Sequence, residues 1–229
     1  MRTASQMRIG LLIAALGAGA VDAASVTTVR GWADTGGLSN NVLRQGTVTW
    51  WTGSGWGICN TDEQRRCSDP QHAIDNIDDH DMLEINFSTA VILEAFRLGW
   101  YSNDSDVTIL AYTGPGTYDL NGKTWSMVNA DSDWIAIGDY FNNGTSWTST
   151  DTEIASTQWL IGAYTPLFNA PDIVGSAEKI ARKDAFKLKE LRWSTPPEEP
   201  PAEVPEPGTV ALFGLGLLGL AGVRRRLRS

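Results

Sequence analysis

Between Ala24 and Trp193 the apolar residues come in short runs, and several of those runs alternate with polar residues. Met82-Leu83-Glu84-Ile85-Asn86-Phe87 and Phe186-Lys187-Leu188-Lys189-Glu190-Leu191 are the clearest examples. A period of two sends successive side chains to opposite faces, so such a run buries one face and wets the other as a β-strand, not as a helix. The expected strands are Ser25–Trp32, Thr47–Trp51, Met82–Phe87, Val91–Tyr101, Val107–Tyr112, Trp134–Tyr140, Thr157–Ala163 and Ala185–Trp193. Asn121-Gly122 and Asn143-Gly144 are good turn pairs, and Gly114-Pro115-Gly116 marks a loop. Only Ala170–Lys183 has helical flavour. Ten tryptophans agree with a β-rich chain, since aromatic residues suit a pleated, half-buried surface. About eight strands in roughly 170 residues predict an all-β, antiparallel two-sheet β-sandwich of jelly-roll type, with a small barrel as the open alternative. The absence of a visible repeat argues against a solenoid.

The two ends have a different composition. Met1 to Arg8 is basic, Ile9 to Ala20 is apolar, and Val21-Asp22-Ala23 offers small or β-branched residues where a signal peptidase reads. Residues 1–23 are therefore expected to be a secretory signal. At the other end, Thr195 to Pro207 holds six of the ten prolines together with several glutamates. Such a segment cannot pack a core and should be a stiff, extended spacer. An apolar run, Thr209 to Val223, follows, and then Arg224-Arg225-Arg226-Leu227-Arg228. The run is short beside the roughly 20 residues that span a hydrocarbon core. The arginines after it would stay cytoplasmic and leave the preceding domain outside. The expected organisation is a signal over 1–23, a β domain over 24–194, a linker over 195–207 and a C-terminal transmembrane helix over 208–229.

The order Val204-Pro205-Glu206-Pro207, short Gly/Leu helix, terminal arginines resembles the PEP-CTERM sorting signal of Gram-negative bacteria. The resemblance implies recognition by an exosortase, a membrane protease-transpeptidase, and cleavage near Pro205-Glu206-Pro207. The mature protein would then leave for the cell surface or extracellular matrix. A second resemblance rests on Gly55-Trp56-Gly57-Ile58-Cys59, Pro70-Gln71-His72-Ala73-Ile74-Asp75-Asn76, Asp81-Met82-Leu83, Leu98-Gly99-Trp100-Tyr101, Asp104-Ser105-Asp106-Val107-Thr108-Ile109-Leu110 and Asp184-Ala185-Phe186-Lys187-Leu188. In that order they are similar to a family of small exosortase-dependent surface proteins. That family carries over no enzymatic activity, so it implies a location and not a chemistry.

Charge narrows the partners. The formal charge is -9, but six of the 18 basic residues are arginines of the two end segments. Without them and Asp22, 12 basic and 26 acidic residues remain, a charge of about -14. Such a surface repels phosphate backbones, so nucleic acid is not an expected partner. Cations, cationic polymers or plain solubility suit it better.

Cys59 and Cys67 are the only cysteines, and in an exported chain they are expected to form a disulfide. The densest polar stretch is Asp75-Asn76-Ile77-Asp78-Asp79-His80-Asp81. Oxygen donors of this kind suit calcium, and Asp75, Asn76 and Asp81 with Glu190 are the candidate ligands; no other cofactor is expected. The competing reading is a turn of solvated acids that cap their own backbone. Asp104-Ser105-Asp106 and Asp131-Ser132-Asp133 carry the same signal more weakly, and turn chemistry accounts for both. No nucleophile-and-base constellation can be named, and no acid pair stands out as a glycosidase would need. Exposed rings beside polar loops could hold sugars, with Trp51, Trp56 and Trp147 as candidates; the alternative is that they pack. The expected function is thus a non-catalytic surface or matrix protein, processed by signal peptidase and exosortase and membrane-bound through its C-terminal helix. Binding of extracellular polysaccharide, with or without calcium, is the second reading, and a secreted hydrolase the third.

Overall fold

The computed structural model describes residues 24–36, 41–63, 72–175 and 184–197. In chain order the strands are β1 (Val26–Ala33), β2 (Arg44–Trp51), β3 (Gly55–Cys59), β4 (Ile74–Asp75), β5 (Asp81–Asn103), β6 (Val107–Tyr112), β7 (Trp134–Tyr140), β8 (Trp147–Ser149), β9 (Ala155–Ala163), β10 (Asp172–Val174) and β11 (Asp184–Ser194). One short helix, α1 (Trp125–Ala130), and a 3-10 turn at Pro166–Phe168 are the helical elements among the described residues. The all-β expectation holds. The weak helical signal at Ala170–Lys183 gives instead the strand β10, with residues 176–183 outside the described set.

The strands do not form two separate sheets. They join into one 11-stranded sheet in the order β10-β7-β6-β9-β5-β1-β2-β3-β11-β4, and β5 pairs again with β11. That last pairing closes β5, β1, β2, β3 and β11 into a barrel, from which β9, β6, β7 and β10 extend. All pairings are antiparallel except β10 with β7. Closure depends on β5, a strand of 23 residues. Its first half lies between β1 and β9, and its second half pairs with β11 and β8. Three register shifts along β5–β11 supply the extra coiling that closure requires. A closed ring removes the strand edges that an open sheet exposes to other chains.

Two cores flank the sheet. Leu83 and Ile85 of β5, Ile109 and Ala111 of β6, and Trp159 and Ile161 of β9 point into the larger one, with Ile58, Phe96, Phe186 and Leu188. The intervening residues Met82, Leu110 and Leu160 join a second core with Trp32, Leu43, Tyr112, Trp134 and Phe168. Buried on both faces, β6 therefore shows no polar alternation. The helix α1 caps the second core with Trp125 and Val128, and its own first turn is capped by the Thr124 hydroxyl, which accepts from the Met127 amide. In β3, a Cβ at Gly57 would overlap the carbonyl of His72, so only glycine admits that crossing.

Candidate functional site

The chain leaves β5 through Asn103, whose left-handed backbone (φ 61°) turns it sharply into β6. The turn carries Asp104 and Asp106, and a parallel bridge sets Asp104 beside Asp184 at the start of β11. One carboxylate oxygen from each of Asp104, Asp106 and Asp184 lies within 4.8 Å of the others. No other group of three acidic, histidine or cysteine side chains converges in this way among the described residues.

Fixed donors hold these carboxylates in place. The Asp106 amide donates to Asp184 Oδ1 at 2.9 Å, and Asn76 Nδ2 donates to Asp184 Oδ2 at 2.6 Å. In return Asn76 Oδ1 accepts from the Asp184 amide at 3.0 Å, and Asn76 Nδ2 also reaches the Tyr164 carbonyl at 2.7 Å. The Asn142 amide donates to Asp106 Oδ1 at 2.7 Å, and the Ser105 amide to Asp104 Oδ1 at 2.8 Å. Asp106 Oδ2 is buried, and no amide or hydroxyl donor reaches it; its neighbour is the Asp104 carboxyl. Asn143 braces the same turn by donating from Nδ2 to the carbonyls of Ser105 and Tyr140, each at 2.7 Å, which leaves its buried Oδ1 without a donor. Burial, opposed by the Asn142 amide and reinforced by Asp104, pushes Asp106 up to about 6. Burial likewise pushes Asp184 up to about 7, against the Asp106 amide and with Asp106 as the nearest charge.

A second acidic pocket forms where β4 and the start of β5 meet the Asn60–Glu63 turn. Asp81 is fully buried, accepts only a long bond from Asn60 Nδ2 (3.4 Å), and has its Oδ2 without a partner. Asp75 accepts from the Ile77 amide at 3.1 Å, and Glu63 Oε2 from the Asn60 amide at 3.3 Å. Burial pushes Glu63 up to about 8, with Asp75 as the next cause. Burial pushes Asp75 up to about 7, against the Ile77 amide, and drives Asp81 well above the usual carboxylate range, with Asp75 and Glu63 adding to it.

The four expected calcium ligands are thus divided. Asp75 and Asp81 share the second pocket, whereas Asn76, adjacent in sequence, turns to Asp184. Glu190 lies further along β11 and pairs with Arg97 at 3.3 Å, both side chains being partly exposed. The three expected sugar-contacting tryptophans are all engaged in packing. Trp51 stacks on the buried Lys187, whose Nζ sits 4.7 Å from the ring centres of both Trp51 and Trp100. Trp56 meets Trp50 edge-on at 4.9 Å, and Trp147 lies 3.9 Å from the Arg192 guanidinium. The ring left in water is Trp50, 49% exposed. Cys59 ends β3 and is not a free thiol, while Cys67 lies outside the described residues.

An open cleft of about 570 Å³ was not foreseen in the sequence. It is lined by Arg30, Trp32, Glu84, Tyr118 and Asn121, among others. At its floor Glu84 is buried and accepts from Trp32 Nε1 (2.7 Å), Asn86 Nδ2 (2.7 Å), Gln158 Nε2 (3.1 Å) and Arg30 Nη1 (3.3 Å). Residues from three strands and one loop build this network, so no local motif could announce it.

Residues 203–226 match the family described as the PEP-CTERM protein-sorting motif. The match includes Val204-Pro205-Glu206-Pro207 and Arg224-Arg225-Arg226 and does not extend into the β domain. No curated protein and no solved structure matches the chain. The signal segment 1–23, the sorting motif and the expected span over 208–229 all lie outside the described residues. Within the described residues no helix is long and apolar enough to cross a membrane.

Proposed function

We propose that this chain is an exported protein, processed by exosortase through residues 203–226 and displayed at the cell surface or in the extracellular matrix as a non-catalytic β domain. The sorting motif carries the proposal. Its position after a Pro/Glu-rich spacer leaves the domain at 24–194 as the cargo. The second resemblance, to small exosortase-dependent surface proteins, points the same way. A signal peptide over 1–23 and a Cys59–Cys67 disulfide are consistent parts of an exported product. The cleft supports the non-catalytic reading, because Glu84 at its floor has both oxygens engaged by four donors and none left to move a proton. Intact-mass analysis of the protein from its native host tests the proposal. A mass lacking both the first 23 residues and everything beyond about Pro207 is expected. A membrane-bound mass retaining Thr209 to Ser229 would instead mean a plain anchored protein.

The cleft favours a second reading, binding of extracellular polysaccharide. The half-buried Tyr118 ring next to Arg, Gln and Asn side chains supplies what a sugar's apolar face and hydroxyls require. The expected result is a glycan-array signal that Arg30→Ala lowers about tenfold, the loss of one charge-assisted bond. An array silent for the wild-type protein removes this reading.

A further inference from the structure

We propose that Asp104, Asp106 and Asp184 bind a calcium ion where the β5–β6 turn meets the first residue of β11. The proposal is independent of how the chain is sorted. Its geometric basis is the convergence of three carboxylate oxygens within 4.8 Å of one another. Two oxygens on the same calcium can be no further apart than twice the 2.3–2.6 Å ligand distance, or roughly 5 Å. The set is therefore compact enough for one ion without rearrangement of the backbone.

Convergence of acids alone would not point to a ligand, but the orphaned oxygen does. Asp106 is 1% exposed, and its Oδ2 lies in the cluster without a donor. Buried polar atoms are satisfied in the great majority of cases, and an exception of this kind calls for a missing partner. Its neighbours are carboxylates, so the partners they favour are a metal cation or a proton shared with Asp104, and a metal cation would serve all three acids at once. The ion pairs among the described residues involve Glu84, Asp34 and Glu190, none of them in this cluster. Backbone amides meanwhile hold Asp104, Asp106 and Asp184 in position, so the site is organised before an ion arrives.

Calcium fits better than magnesium on two grounds. It accepts six to eight oxygens in loose geometry, so three carboxylates from one turn and one strand can be completed by water. Magnesium demands a near-ideal octahedron and dehydrates reluctantly. Extracellular calcium modules bind at about 10⁻⁴–10⁻³ M, and a site of three carboxylates belongs in that range or tighter. The ion would also have a structural consequence. β11 is the strand whose pairing with β5 closes the barrel, and the site ties its first residue to the end of β5.

The test uses the full chain stripped with EDTA, titrated with calcium chloride, and read by thermal unfolding and by equilibrium dialysis of radioactive calcium. Saturation to about 100 times the dissociation constant should raise Tm by about 5–10 °C. Asp106→Asn is the informative variant. Its oxygen can still accept from the Asn142 amide, and its new amide can donate to Asp104, so the fold should survive in EDTA. Its calcium affinity should fall at least tenfold. Asp75→Asn, in the other acidic pocket, should bind as the wild type does. The assignment is overturned by wild-type protein that takes up no calcium, by Asp106→Asn binding at full affinity, by loss of binding in Asp75→Asn, or by an equal response to magnesium.

Discussion

The two acidic pockets of this domain handle the same difficulty, several carboxylates taken out of water, by different means. Around Asp106 and Asp184 the carboxylates are met by main-chain amides and by Asn76, donors that favour the charged form. Around Asp81 the donors are fewer and longer, with a single 3.4 Å bond from Asn60 to a fully buried side chain. Burial raises proton affinities in both, to about 6 at Asp106 and about 7 at Asp184 in the first pocket and to about 7 at Asp75 and about 8 at Glu63 in the second. The second pocket favours the protonated forms, most of all at Glu63 and Asp81. The first keeps a charge-ready, spatially convergent set of oxygens, and that is the pocket suited to a metal ion. Burial of acids is common to both; the supply of donors separates them.

Removing Asn76 should be the strongest way to break the contrast. Its side chain donates to Asp184 Oδ2 and the Tyr164 carbonyl and accepts from the Asp184 amide, all in the interior. Asn76→Ala leaves three buried groups unpaired, each worth about 1–3 kcal/mol, and a loss of about 3–4 kcal/mol in urea unfolding is expected. Asn60→Ala is the matching change in the other pocket. Its oxygen serves the amides of Asp62 and Glu63 in a partly exposed turn where water can replace it, and its Nδ2 gives Asp81 only a long 3.4 Å bond, so about 1 kcal/mol should suffice. Equal losses from the two variants would mean that the donor argument is wrong.

A smaller effect should come from neutralising one acid in each pocket. In Asp184→Asn one of the two oxygens becomes an amide nitrogen and faces a donor, either Asn76 Nδ2 or the Asp106 amide. The expected cost is about 2 kcal/mol at pH 7. In Asp81→Asn the amide oxygen can keep the Asn60 bond, and the nitrogen replaces an oxygen that had no partner. That change should be neutral or stabilising at pH 7, within about 1 kcal/mol. Denaturant midpoints at constant m-value decide between them.

What the sequence discloses follows the same division between local and long-range. β6 and β7 fall where their apolar runs and the flanking turn residues place them, since both are bounded by strong local signals. Ser88-Thr89-Ala90 interrupts the apolar pattern and suggests a break, yet β5 runs through it with that stretch largely exposed and a register shift against β9. β3 is hidden by glycines that read as loop but are required by the close crossing at His72. The barrel itself rests on β5 pairing with β11, a contact that no local pattern encodes. Asp104 and Asp106 stand out in the sequence as a weak oxygen pair. Their third member, Asp184, is 78 residues from Asp106 and is brought in only by the strand order. Conversely, the acid-rich run from Asp75 to Asp81 looks like one site and is two, because β4 sends Asp75 and Asn76 to opposite pockets.

The smallest expected effect is the pH dependence of the second pocket, and its sign is diagnostic. Glu63, Asp75 and Asp81 all bind protons more tightly folded than unfolded, chiefly through burial, with Asp75 adding repulsion to Glu63 and Asp81, Glu63 to Asp81, Asp79 to all three and Asp78 to Glu63 and Asp75. A group with a raised folded-state affinity contributes its stability in full below its unfolded value. It loses that contribution as pH rises through the folded value. The domain in EDTA should therefore be more stable near pH 4.5 than near pH 8, with the decline spread over the window that ends at about 7 for Asp75 and about 8 for Glu63. Asp106 and Asp184 shift in the same direction, so the wild-type slope belongs to both pockets. Asp81→Asn separates them: it removes one titrating group of the second pocket alone, and should flatten the Tm-against-pH profile by a few degrees across pH 5–8. A profile that rises with pH, or one that Asp81→Asn leaves unchanged, would place the protons elsewhere and remove the basis for distinguishing the two pockets.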